Sequence, residues 1–143
     1  MQTNVQEITS STEIDAPLEE VWEALTTPSL IKKWFLGVDT ETDWKVGSSI
    51  VHRGEYEGKP YVDTGEILAF EPPTLLEHSH WSEGSGKPNS PEQYQVVSWA
   101  LTERSGGTDL KITEKNLPSK EAAETSEQTW KMVLGNLKDL LEG

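Results

Sequence analysis

The chain has 143 residues, with 25 acidic and 12 basic side chains, a net charge of −13 and no cysteine. That length fits one ordinary domain, covering residues 1–143, which can bury a core without covalent staples. The negative balance argues against nucleic acid or an anionic membrane as partner, and the missing cysteines exclude disulfides, zinc–thiolate sites and thiol nucleophiles.

The opening "MQTNVQEITSST" has neither a basic start nor an apolar centre, so it does not read as a signal peptide. Its continuation, residues 4–14, is rich in β-branched side chains and predicts a strand. "DAPLEEVWEAL" predicts a helix: Asp15 suits the N-cap, Pro17 the first turn, and Glu19 and Glu20 the positive end of the dipole. Leu18, Val21, Trp22 and Leu25 fall on one face of it. Pro28 biases Thr27 away from helix, so a second short helix follows in "SLIKKWF", with Gly37 placed to end it.

From Val38 the periodicity changes to two. Six strands are predicted, over residues 38–43, 48–58, 59–71, 74–83, 92–104 and 107–115. The connecting turns are short, which implies an antiparallel meander; "EGSGKPNSP" is the longest connection and reads as a flexible loop. It lacks the phosphate-binding P-loop pattern, and no G-x-S-x-G elbow signals a hydrolase. The tail is one long helix opened by Pro118 and Ser119. Trp130, Val133, Leu134, Leu137, Leu140 and Leu141 form its apolar stripe, whereas Ala122, Ala123, Ser126 and Thr129 are small or polar. Such a helix seals a core at one end and leaves room at the other. Gly135 within it suggests a close approach to the sheet or the short helices. No run approaches the ~20 apolar residues of a membrane-spanning helix, and a cytoplasmic protein is expected.

Five segments occur in an order that carries a resemblance: "APLEEVWEALTTPSLIKKWF", "WKVGSSI", "GEILAFEPPTLLEHSHW", "VSWALTERSGGTDLKITEKNLP" and "WKMVLGNLKDLLE". Together they resemble the START-like (SRPBCC, helix-grip) superfamily. More narrowly, they are similar to the family named after the carboxyl-terminal domain of the heat-shock-protein-90 ATPase activator. The resemblance implies an α+β fold in which a seven-stranded antiparallel curved sheet wraps a long C-terminal helix, with two short helices after strand 1. It also implies a cavity between sheet and helix, often for an apolar small molecule. The extra chaperone-binding domain of the eukaryotic activator has no counterpart in these residues.

Strand parity names the side chains facing that space. Val97, Trp99 and Leu101 share a face, as do Leu110, Ile112 and Glu114. Leu76 carries His78 and His80 with it, Ile50 carries His52, and Ile67 carries Tyr61, Asp63 and Gly65. All three histidines thus fall on the concave face, where the resemblance implies apolar or aromatic residues. The candidate ligand-binding set is Phe35, His52, Tyr61, Asp63, His78, His80, Val97, Trp99, Leu101, Glu114, Thr129 and Trp130.

Three functions compete. The first is a pocket for a small apolar or aromatic molecule, in which Tyr61, Trp99 and Trp130 supply area and the histidines and acids orient the ligand. The second is an enzyme of the cyclase or dehydratase type, with a His–carboxylate pair as acid and base. The third is a chaperone-linked protein-interaction module, which predicts a filled core and an exposed apolar patch. Binding ranks ahead of catalysis because no fixed dyad spacing exists to recognise. His78-x-His80 is a weak metal signal and is outweighed by ordinary core histidines, so no metal or other cofactor is expected. A monomer or a homodimer is compatible with the sequence. Trp44 reads as a cap on the sheet end, and Trp81, off the histidine face, as an outer or dimer-contact residue.

Overall fold

The computed structural model describes residues 6–82 and 88–142. The order is β1 (Gln6–Ile14), α1 (Leu18–Thr26), α2 (Pro28–Trp34), β2 (Asp39–Thr42), β3 (Ser49–Tyr56), β4 (Lys59–Glu71), β5 (Leu75–Ser82), β6 (Gln95–Arg104), β7 (Gly107–Leu117) and α3 (Lys120–Glu142). A 3-10 turn, Pro91–Gln93, precedes β6. The seven strands form one antiparallel sheet in the order β1-β7-β6-β5-β4-β3-β2. Strands β2 to β7 follow one another as a meander, and β1 closes the far side on β7. This is the α+β helix-grip fold that the sequence resemblance implies, with the two short helices after strand 1 and the long helix last. Most of the expected flexible loop, residues 83–87, and residues 4 and 5 of the first predicted strand lie outside the described residues.

The core lies between the concave face of the sheet and the helices. Ile14, Ile67, Val97, Leu110, Ile112, Val133 and Leu137 are all essentially inaccessible to solvent. The apolar stripe of α3 supplies Trp130, Val133, Leu134 and Leu137 to it, as the helical spacing demands.

The short helices are fastened by specific bonds. Trp34, 2% exposed, donates its indole N–H to the Ala24 carbonyl at 2.9 Å, tying α2 to α1. Asn136 donates to the Trp34 carbonyl at 3.3 Å, tying α3 to α2. Trp22 packs on Phe70 of β4 (centroids 5.5 Å apart) and Trp34 meets Trp99 of β6 edge-on at 5.7 Å. The end of α2 is a left-handed turn: Leu36 and Gly37 have φ of 55° and 76°, and the Gly37 N–H reaches the Lys32 carbonyl at 3.1 Å. Trp44 packs on Phe70 from the β2–β3 turn, with centroids 6.2 Å apart.

Two local expectations are corrected. Asp15 does not cap α1: Pro17 occupies that position, and the Asp15 carboxylate instead accepts from Arg104 at 3.4 Å. The cap of α3 is Ser119, whose hydroxyl accepts the Ala122 N–H at 3.0 Å. Gly135 is exposed, and a Cβ there would meet no atom within 4 Å, so no close approach explains it. No helix among the described residues is long and apolar enough to cross a membrane.

Candidate functional site

A pocket of about 370 Å³ opens between the concave sheet and the amino-terminal half of α3. It lies there because the helix stripe carries small or polar side chains, Ser126 and Thr129, before the bulky run begins at Trp130. Ten residues of the sequence-derived set line it: Phe35, His52, Tyr61, Asp63, His78, His80, Val97, Glu114, Thr129 and Trp130. Leu36, Val38, Ser82, Thr125 and Ser126 line it as well and were absent from that set. Trp99 and Leu101 do not reach it. Trp99 is walled off beneath α2 by Trp34, lining only a 20 Å³ void, and Leu101 is buried further along β6. A wider groove of about 790 Å³ lies on the outer side of β1, β7 and β6, where Lys138 is bound to the Glu13 carbonyl and Glu142. It lacks the aromatic walls that a small-molecule site requires.

Strand register builds the polar floor. Ile67, His78, Val97 and Glu114 are directly opposed across β4, β5, β6 and β7, while His52 opposes Asp63 across β3 and β4. His80 donates from Nε2 to Asp63 Oδ2 at 3.0 Å. Burial opposes the charge on His80, but the Asp63 hydrogen bond and charge, with help from Glu114, raise its pKa above 6.5. Burial likewise opposes ionisation of Asp63, and the His80 bond and charge override it, holding the carboxyl below its usual value. Ser82 and Gln95 also favour the charged pair from nearby, without meeting hydrogen-bond geometry at the outer atoms. Asp63 Oδ1 and His80 Nδ1 are buried with no hydrogen-bond partner among the described residues.

His78 is a different kind of histidine. Trp99 donates its indole N–H to His78 Nε2 at 3.3 Å, and an indole nitrogen can only donate. The Nε2 lone pair is therefore in use, which places the ring proton on Nδ1, 3.1 Å from the Ser79 carbonyl that accepts it. His78 is a neutral, structural imidazole, 6% exposed, and burial takes its pKa down to about 4. His52, with its ring centroid 5.9 Å from that of His78, is pushed to about 3 by burial and then by the neighbouring imidazoles. Burial and the Asp63 charge raise the Tyr61 phenol, which stays protonated.

The opposite wall is aromatic and holds one more acid. Phe35 stacks on Trp34 at 5.5 Å and sits 5.9 Å from both His52 and Trp130. Trp130 donates its indole N–H to Glu114 Oε1 at 2.9 Å, so a 5%-exposed carboxylate bridges β7 to α3. Trp81 lies on the outer face, stacked on Tyr94 with centroids 6.4 Å apart. No group of three or more His, Cys, Asp or Glu among the described residues has the geometry to hold a metal ion.

Comparison with known proteins agrees with the fold. No curated protein matches the sequence. The solution structure of a Cytophaga hutchinsonii protein is 40% identical and superposes with a TM-score of 0.85, covering 99% of this chain and 97% of that one. CalU16 from Micromonospora echinospora is 29% identical over 97% of this chain and 76% of its own, with a TM-score of 0.79. DynU16, a protein of the dynemicin biosynthetic locus, shares the fold at 23% identity and a TM-score of 0.79; this chain spans 47% of it. The family described as Activator of Hsp90 ATPase homolog 1-like protein matches residues 15–142. The chain belongs to that family, within the START-like superfamily.

Proposed function

We propose that the protein binds a small, partly apolar molecule in the pocket between the concave sheet and α3. One observation carries this reading: aromatic walls (Phe35, Tyr61, Trp130) and hydrogen-bonding groups (Asp63, His80, Glu114) converge on one space of about 370 Å³. That volume falls within the ~300–1,000 Å³ typical of small-molecule sites. An apolar or aromatic body fits between Phe35 and Trp130, and the polar floor orients it. The test is a filled pocket. Ser126→Trp places an indole in the space without touching the apolar end of α3. In a thermal-shift screen of amphipathic aromatic compounds, hits on the wild type should lose their stabilisation in Ser126→Trp. Hits that survive the substitution bind elsewhere and refute the site.

One contact favours a second reading, an enzyme. His80 and Asp63 are joined at 3.0 Å and both line the pocket, the arrangement of a base held by an orienting carboxylate. On this reading His80 moves a proton to or from the bound molecule. A ligand recovered chemically altered from the wild type and unaltered from His80→Gln supports catalysis. A ligand recovered intact from both leaves a binding protein.

A further inference from the structure

The polar end of the ligand is open to inference from the charges that line the pocket. Two carboxylates, Asp63 and Glu114, belong to the lining, and no lysine or arginine does among the described residues. The imidazoles balance only part of this. His78 is neutral because its Nε2 accepts the Trp99 N–H. His52 is held neutral by burial, its pKa near 3. His80 is committed to Asp63 by the 3.0 Å bond, so any positive charge it carries is already matched. Among the described residues Glu114 accepts one hydrogen bond, from the neutral Trp130 indole N–H, and the His80 charge acts on it without a direct bond. A buried carboxylate needs a compensating charge or more hydrogen bonds than this. Beside it stands Trp130, with Phe35 packed against that indole, rings that attract cations through their quadrupoles.

We propose that the ligand carries a protonated amine, received by the Glu114 carboxylate beside the aromatic wall of Phe35 and Trp130. This rests on the reading of the pocket as a small-molecule site and names the class of molecule it takes. An aryl or alkyl amine answers both features of this wall: its body covers the rings and its ammonium donates to Glu114. An anionic ligand would face two carboxylates, and the one cationic side chain in the lining, His80, is already paired with Asp63. A neutral alcohol would gain hydrogen bonds but leave the Glu114 charge unmatched.

The test uses three probes of one skeleton, phenethylamine, phenethyl alcohol and hydrocinnamate, titrated at neutral pH while the Trp130 indole N–H resonance is followed by NMR. The amine should bind about tenfold or more tightly than the alcohol, and hydrocinnamate weakest. Glu114→Gln retains an oxygen to accept the Trp130 N–H, so the α3–β7 link persists. It should bring the amine to within about twofold of the alcohol. The wild-type comparison stands without the variant. If a probe shifts Trp130 but the amine has no advantage, or keeps it in Glu114→Gln, the ammonium assignment is wrong and the pocket reading survives. If none of the three shifts Trp130, both fall.

Discussion

At the residue scale, the three histidines on one face perform three tasks, and hydrogen-bond partners decide which. His78 accepts from Trp99, His80 donates to Asp63, and His52 packs against Phe35. Strand parity placed all three on the concave face, but parity carries no information about partners 17 or 21 residues away in sequence. The pairings have opposite consequences for pH. His52 and His78 titrate near 3 and 4 when folded, below an unfolded imidazole at ~6.5. Their contribution to stability is complete above the unfolded value and is lost as pH falls toward the folded ones, because the unfolded chain takes up protons first. His80, raised by Asp63, stabilises below the unfolded value and loses that contribution as pH rises through its folded pKa. The depressed Asp63 contributes above its unfolded value and loses that only in stronger acid. Urea unfolding of the wild type should therefore show a marked loss of stability between neutral pH and about pH 4. His78→Gln should lose about 3 kcal/mol less over that interval. An identical pH slope in the variant would remove His78 as a cause.

At the element scale, the two helices broken at Pro28 are a brace, and its residues were largely legible. The helical spacing set Val21, Trp22 and Leu25 on the buried face, where they are found. Not legible was the reach of Trp34, whose bond to the Ala24 carbonyl and contact with Trp99 close the pocket floor off from the core. Trp99 shares its strand face with Val97, so parity assigned both to the pocket; depth beneath a neighbouring helix is a tertiary fact that alternation does not encode. Leu36, Val38 and Thr125 were missed for a related reason. Leu36 and Val38 come from the turn after α2, and Thr125 from the edge of the α3 face, beside the stripe that the helical period marks. Gly65 in β4 has a steric cause that only the paired strand reveals: a Cβ there would collide with the Ser79 carbonyl of β5. Gly135 has no such cause. With open space around it in mid-helix, Gly135→Ala should raise stability by ~0.5–1 kcal/mol in denaturant unfolding. A destabilised variant would contradict the open space around this position.

At the scale of the whole molecule, the sheet grips α3 along its length but fills the space only at its carboxyl end. Trp130, Val133, Leu134 and Leu137 seal the core there, while Ser126 and Thr129 leave the pocket at the other end. The gradient of side-chain size along one helix face, visible in the sequence, thus locates the site. Its polar character arises from strand register, which lines up His78, Val97 and Glu114 in one row and His52 with Asp63 in another. The central claim is that a small molecule occupies this pocket, and the tryptophan indoles report on it directly. Trp130 lines the pocket through its bond to Glu114, whereas Trp81 lies on the outer face against Tyr94. In a ¹H–¹⁵N spectrum recorded during titration with a screening hit, the Trp130 Nε1–H resonance should shift saturably and that of Trp81 should stay in place. A saturable shift of Trp81 with Trp130 unmoved would contradict the account.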